Sequence, residues 1–173
     1  MIGISLIGPT GSGKSTIARH IERTYGAEVI KVAKPLYDFQ AALYDLIGVS
    51  IEGQDGELLQ FLGGKIEKEA PGWLCADFLK RVAASPARFV VNDDCRPNCY
   101  SSLLNAGFEF VYVVTLPEIR QVRLRNDHTL VDPNHSVERG VDPSICFATL
   151  DNSGELDQTL RNCDEIIRRL NVL

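Results

Sequence analysis

Eight consecutive residues, Gly8-Pro9-Thr10-Gly11-Ser12-Gly13-Lys14-Ser15, satisfy the pattern G-x-x-x-x-G-K-[ST]. From this composition chance would supply about 0.004 matches along the chain, so the pattern is informative by itself. Glycine at positions 8, 11 and 13 permits backbone angles and a close approach that a Cβ would obstruct. Successive N–H groups and the positive end of a following helix can then surround phosphate oxygens. In such a loop Lys14 reaches the β- and γ-oxygens and the Ser15 hydroxyl ligates Mg²⁺, with Thr10, Ser12 and Thr16 in the same binding segment. A glycine-rich turn with an incidental lysine is the bland alternative, and the flanking elements weigh against it. The expected ligands are ATP and Mg²⁺.

Those elements have the required order. Ile2 to Ile7 is a short, apolar, β-branched run that stops at Gly8-Pro9, and Ile17, Ala18, Ile21 and Tyr25 then recur at helical spacing up to Gly26. The loop therefore lies between a strand and a helix. Further along, Val29 to Val32 reads as a strand, and Pro35 opens a helix with Leu36, Phe39, Leu43 and Ile47 on one stripe. Glu57 to Glu69 has helical character that Gly63-Gly64 should weaken or break. A helix from Trp73 carries Leu74, Phe78 and Val82. Phe89 to Val91 and Phe110 to Leu116 are near-continuous apolar runs, the pattern of strands covered on both faces. Pro117 to Arg125 resembles a short basic helix, Asn126 to Pro143 is polar without periodicity, and Ala148 to Leu150 is a last short strand. Leu156, Leu160, Cys163, Ile167 and Leu170 line one side of a final helix. Alternating β and α implies an α/β fold with a parallel sheet between helices.

The 173 residues suit a single domain over 1–173, with a lid over about 126–142. Lysine and arginine number 18 against 23 acids, a net charge of −5 that argues against nucleic acid or an anionic membrane as the main partner. Five scattered cysteines suggest reduced thiols rather than a disulfide framework, and no leader or membrane-length apolar run is evident. The expectation is a cytoplasmic protein acting on small molecules, with its oligomeric state open and a homodimer among the options. Guanine-specific GTPases carry an N-K-x-D segment, which this chain lacks, and its length leaves little room for the extra domains of motor ATPases. A small phosphotransferase is the natural remainder.

Several segments then resemble one family, in order along nearly the whole chain. Val32-Ala33-Lys34-Pro35-Leu36 is similar to the A-D-P-L segment of phage-type deoxynucleoside monophosphate kinases, and Leu58-Leu59-Gln60-Phe61-Leu62-Gly63 to their L-L-Q-x-L-G segment. Trp73 stands where their next helix begins with tryptophan. Val90 to Asn98 resembles their strand-end D-x-R-x-x-N pattern, His135 to Glu138 resembles H-x-S-E with one residue missing, and Asp151 to Leu156 matches D-N-x-G-x-L. Lys34 replaces the family's usual acid, Tyr37 a common lysine, and Cys99 the glutamate after asparagine. The resemblance implies a P-loop three-layer sandwich with a five-stranded parallel sheet and ATP-dependent phosphorylation of a deoxynucleoside monophosphate. Dephospho-coenzyme A kinases share the first loop and the late segment, and a non-catalytic ATP-binding switch is a third reading.

Asp93 and Asp94 close an apolar strand, where open parallel sheets place ligands. One carboxylate could hold Mg²⁺, with Asp93 the metal candidate, and Asp94 could orient the acceptor; a helix cap before Pro97 would explain one of them. Arg96 has the planar fork for a bidentate grip on an acceptor phosphate, and a surface ion pair is its alternative. Arg123 is the candidate for neutralising charge on the transferred group, and Arg120 for covering adenine, against the reading that these arginines are simply solvated. The resemblance places adenine against Asn152 and Gly154. Lys34, Gln60 and Trp73 are candidates for acceptor binding, Trp73 being equally explicable as core. His128, His135, Cys95 and Cys99 fit no standard zinc spacing. The catalytic set expected from the sequence is Lys14, Asp94, Arg96 and Arg123.

Overall fold

Runs of β-branched residues without polar alternation pair well inside a parallel sheet, and the chain follows that rule. In the computed structural model, which describes residues 1–126 and 142–171, β1 (Ile2–Ile7), β2 (Glu28–Val29), β3 (Phe89–Asn92), β4 (Phe108–Val114) and β5 (Ala148–Asp151) form one sheet. Its order is β2-β3-β1-β4-β5 and every pairing is parallel. The register runs from Ile2↔Phe89 to Ser5↔Asn92 on one side of β1 and from Gly3↔Phe108 to Ile7↔Tyr112 on the other. The helices are α1 (Lys14–Tyr25), α2 (Lys34–Leu46), α3 (Gly56–Glu69), α4 (Trp73–Ala84), α5 (Tyr100–Asn105), α6 (Pro117–Asn126) and α7 (Leu156–Asn171). The expected α/β class with a five-stranded parallel sheet is the observed one.

The chain divides into two compact units, Met1–Val29 with Pro86–Leu173, and Ile30–Ser85. In the first, α1 and α7 cover one face of the sheet. Ile17, Ala18 and Ile21 of α1 and Cys163, Ile166, Ile167 and Leu170 of α7 pack with Ile4, Leu6, Val91, Val111, Val113 and Leu150. The α7 residues recur at three- and four-residue steps, which puts them on one stripe. On the opposite face Tyr100 of α5 meets Phe110 edge to face, with ring centroids 5.2 Å apart. No helix among the described residues is long and apolar enough to cross a membrane.

The second unit holds α2, α3 and α4 around Ile30, Val32, Leu36, Cys75, Phe78 and Val82, all buried. Its α2–α3 connection is fixed by polar groups. Gln40 donates to the Gly53 carbonyl at 3.1 Å and accepts from the Asp55 N–H at 2.9 Å. Asp55 caps α3 by accepting from the Leu58 N–H at 3.0 Å, and its other oxygen accepts from the Tyr44 hydroxyl at 2.6 Å.

Several elements differ from the sequence reading. The second strand is Glu28–Val29 rather than Val29 to Val32, because the ladder ends where Val29 pairs with Val91. Ile30 and Val32 are apolar because they are buried in the second unit, outside the sheet. β4 is Phe108–Val114, two residues earlier than expected; Gly107, at φ 80°, turns the chain, and the Phe108 ring lies against Gly3. In α2 the buried positions are Leu36 and Gln40, while Phe39 and Ile47 of the expected stripe are 50% and 55% exposed. α3 is unbroken at Gly63-Gly64, with Gly63 facing Leu36 of α2 at a distance that leaves room for a Cβ. α5 was not anticipated. The expected lid falls mainly on residues 127–141, which lie outside the described residues, as do His128, His135, Glu138 and Arg139.

Candidate nucleotide site

The carboxyl end of β1 leads directly into the glycine-rich loop. Gly8, Gly11 and Gly13 all take positive φ, at 140°, 81° and 94°. A Cβ on Gly8 would lie 2.4 Å from the Val113 carbonyl oxygen of β4, so this position excludes any side chain. Gly13 is the N-cap of α1, no side chain caps the helix, and its first turn contains no acid. The Thr16 and Ile17 N–H groups both donate to the Gly13 carbonyl, at 3.1 and 3.2 Å, and with no acid in the first turn the positive end of the helix dipole favours an anion there. The Lys14 ammonium donates to the Gly8 and Pro9 carbonyls, both at 2.8 Å, and so arches back over the loop. Ser15 and Thr16 are exposed, Thr10 is half-buried, and Ser12 is fully buried.

The neighbouring strand ends complete the surroundings. Asn152, immediately after β5, donates through Nδ2 to the Ser12 carbonyl at 2.8 Å, and Thr115, just past β4, donates to the same oxygen at 3.1 Å. Arg123 of α6 donates through Nη2 to the Asn152 carbonyl at 3.1 Å. Its Nη1 is buried without a hydrogen-bond partner, 3.7 Å from where a Cβ on Gly13 would stand. A buried guanidinium N–H left unpaired is costly unless an acceptor reaches it. Arg120 and Leu124 lie over Gly11, with their Cγ atoms 3.1 and 3.0 Å from a Cβ built there. Gly154 is exposed and has open space around it.

Across β1, Asp93 and Asp94 leave the carboxyl end of β3. Asp93 is buried and Asp94 half-buried. The Ser5 hydroxyl donates to Asn92 Oδ1 at 3.2 Å, and Asn92 Nδ2 donates to Asp94 Oδ1 at 2.7 Å. A buried relay thus fixes the orientation of Asp94. Arg96 is exposed at the start of the 3₁₀ turn Pro97–Cys99. Near it the Tyr100 phenol is pushed above its ordinary range, first by burial and then by Cys95 and Cys146, with Arg96 opposing. Tyr100 therefore stays neutral at physiological pH.

Lys14, Ser15, Asp93, Asp94, Arg96, Arg120, Arg123 and Asn152 all belong to the first unit, at the carboxyl ends of its strands. Lys34, Gln60 and Trp73 belong to the second, on α2, α3 and α4. Lys34 is exposed and paired with Asp38, Gln60 is exposed, and Trp73 is 45% exposed rather than core. Asn92, Ser5 and Thr115 were missed. Asn92 did leave a signal, as the polar end of the apolar run Phe89-Val90-Val91. Among the described residues no group of three or more His, Cys, Asp or Glu could hold a metal ion. The hard oxygens of Ser15 and Asp93 suit a Mg²⁺ that takes most of its ligands from phosphates and water, which needs no protein cage.

No family model and no curated protein matches the chain. Solved structures do. Shikimate kinase from Acinetobacter baumannii, in complex with shikimate, is 16% identical, with a TM-score of 0.57 over 99% of this chain and 94% of that one. TT1252 from Thermus thermophilus is 20% identical, with a TM-score of 0.59 over 98% and 97%. A sugar kinase from Janibacter sp. HTCC2649 is 15% identical, with a TM-score of 0.58 over 97% and 95%. Strand order, loop position and these likenesses converge on one architecture: the chain has the α/β fold of P-loop kinases.

Proposed function

We propose that this protein transfers the γ-phosphoryl group of ATP to a nucleoside monophosphate, with a deoxynucleotide as the preferred acceptor. The observation that carries the nucleotide reading is the buried, unpaired Nη1 of Arg123 beside an uncapped helix N-terminus in a G-x-x-x-x-G-K-[ST] loop. The acceptor half rests on the family resemblance and on Asp94 and Arg96 at the end of β3. An oxygen of the acceptor phosphate attacks the γ-phosphorus as the bond to the β-bridging oxygen breaks, and ADP leaves with that electron pair. The attacking oxygen is already ionised, so no strong base is needed. Catalysis is positioning and charge neutralisation. Lys14 turns from the loop carbonyls to the β- and γ-oxygens, Arg123 Nη1 donates to the transferring group, and Arg96 grips the acceptor phosphate. Ser15 and Asp93 would hold Mg²⁺, whose charge offsets that of the phosphates. For Lys34, Gln60 and Trp73 a part in recognising the acceptor nucleoside rests on the family resemblance alone.

The test is ADP release with ATP and Mg²⁺ against each common ribo- and deoxyribonucleoside monophosphate, dephospho-coenzyme A, shikimate and simple sugars. A deoxynucleoside monophosphate should give the highest kcat/KM. Preference for dephospho-coenzyme A would replace the acceptor assignment. Preference for shikimate or a sugar, the acceptors named for two of the similar structures, would instead make Asp94 a base for a hydroxyl group. ATP binding without stimulation by any acceptor would favour the switch module.

A further inference from the structure

We propose that Asn152 is a positioning residue that locks the phosphate loop and the Arg123 guanidinium into one arrangement, rather than a contact to the base. The inference rests on the ATP reading above and deepens it. Asn152 is 3% exposed, so its amide faces the protein interior and not an open base pocket. Three elements meet on this one residue. Its backbone N–H donates to the Val114 carbonyl at 2.8 Å, its Nδ2 donates to Ser12 in the loop at 2.8 Å, and its carbonyl accepts from Arg123 of α6 at 3.1 Å.

The packing is equally specific. A Cβ on Gly13 would lie 2.2 Å from Asn152 Nδ2, so the amide fills the space that this glycine leaves. The loop glycine is therefore required by Asn152 as well as by a phosphate. Arg123 spends Nη2 on the Asn152 carbonyl, which aims the plane of the guanidinium and leaves Nη1 buried and unpaired beside the loop. Asn152 Oδ1 and Ser12 Oγ are also buried without partners. A network arranged for stability alone would pair these atoms. Here the geometry serves the loop: the Ser12 carbonyl is held by Asn152 Nδ2 and by the Thr115 hydroxyl, and removing the Asn152 amide leaves it on the longer 3.1 Å bond alone, which loosens the loop.

Inorganic pyrophosphate separates positioning from base contact, because it engages the loop and carries no base. Titration calorimetry would measure ADP and pyrophosphate, each with Mg²⁺, on wild type, Asn152→Ala and the isosteric Asn152→Asp, which lacks the N–H donor at neutral pH. Both variants should lose about ten-fold in affinity for both ligands, the size expected for one buried hydrogen bond and the order it imposes. With a working acceptor, kcat and the ATP KM should worsen while the acceptor KM stays within about two-fold. Loss of ADP affinity with pyrophosphate unchanged would overturn the inference in favour of a base contact. Wild-type affinities in either folded variant would overturn it outright. Failure of the wild-type protein to bind ADP would remove the ATP reading, and this inference with it.

Discussion

Replacing Gly8 by alanine tests whether the loop is held by the sheet. Gly8 has φ 140°, a region that a side chain rarely adopts, and holding alanine there costs about 1–3 kcal/mol. Its Cβ would stand 2.4 Å from the Val113 carbonyl oxygen. That oxygen belongs to β4, whose pairing with β1 up to Ile7↔Tyr112 keeps it in place. It cannot rotate aside as a side-chain atom could, and the overlap adds about 1–3 kcal/mol. The sum is about 2–6 kcal/mol, with a centre near 4. For a chain of 173 residues each kcal/mol moves Tm by about 2–4 °C, so the melting temperature should fall by roughly 8–16 °C. Gly26→Ala is the matched control. Gly26 is also left-handed, at φ 65°, but a Cβ there meets nothing within 4 Å. Only backbone strain applies, about 1–2 kcal/mol and roughly 2–8 °C. Thermal melts followed by circular dichroism, supported by urea titration, would measure both variants. If Gly8→Ala loses no more than Gly26→Ala, the contact with β4 does not constrain the loop and the reasoning fails.

Lys14→Ala should keep the fold yet lower ADP formation at least about a hundred-fold, because the charge that the proposed function turns toward the phosphates is lost; near wild-type turnover in a folded variant would defeat the assignment. Arg96→Ala should raise the acceptor KM about ten- to a hundred-fold with only partial rescue by lysine, whereas Arg123→Ala should lower kcat and also raise the ATP KM, since Arg123 is already seated beside the loop. Asp164 is partly buried, which raises its pKa, but hydrogen bonds from His20 at 2.7 Å and Tyr25 at 3.0 Å outweigh this and hold the carboxyl below its ordinary value. The stability it confers is then complete above the unfolded carboxyl pKa of about 4 and is lost as pH falls toward the lower folded value, so urea titrations from about pH 5 to about pH 2.5 should show wild type and Asp164→Asn converging; a constant gap would refute the pairing. The Cys163 thiol is buried and pushed up to about 12, first by burial and then by Asp164, whereas Cys146 is half-buried, so mild alkylation of the native protein should label Cys146 well before Cys163, as read by mass spectrometry.

The phosphate loop was legible because glycine, lysine and serine at fixed spacing have few other uses, and because a strand and a helix visibly flanked it. The sheet was legible from Ile2 to Ile7 and Phe89 to Val91, whose burial on both faces leaves an unbroken apolar run. Ile30 and Val32 misled for the same reason, since apolarity reports burial and not the element that supplies it. α5 was hidden because its six residues bury only Leu103 and show no full period. The Gly63-Gly64 pair looked like a break because propensity is local, while α3 packs against α2. In the site, residue types identified Lys14, Asp94 and Arg96 as candidates, but nothing in the sequence could show that Asn152 reaches Ser12, 140 residues away. Tertiary hydrogen bonds of that range leave no periodic trace.

The second unit occupies Ile30–Ser85, entirely between β2 and β3. These two strands are parallel neighbours in the sheet, and joining such strands requires only a crossover of about a dozen residues. The chain spends several times that length here. As a problem in heredity, this makes the segment an exchangeable cassette: both of its attachment points are anchored in a sheet whose remaining strands, loop and arginine helix are encoded elsewhere. Under the proposed function, changes within the cassette would alter acceptor choice while the unit that carries the glycine-rich loop stays under separate selection. A laboratory chimaera would exploit the same joints, cutting after Val29 and rejoining at Pro86.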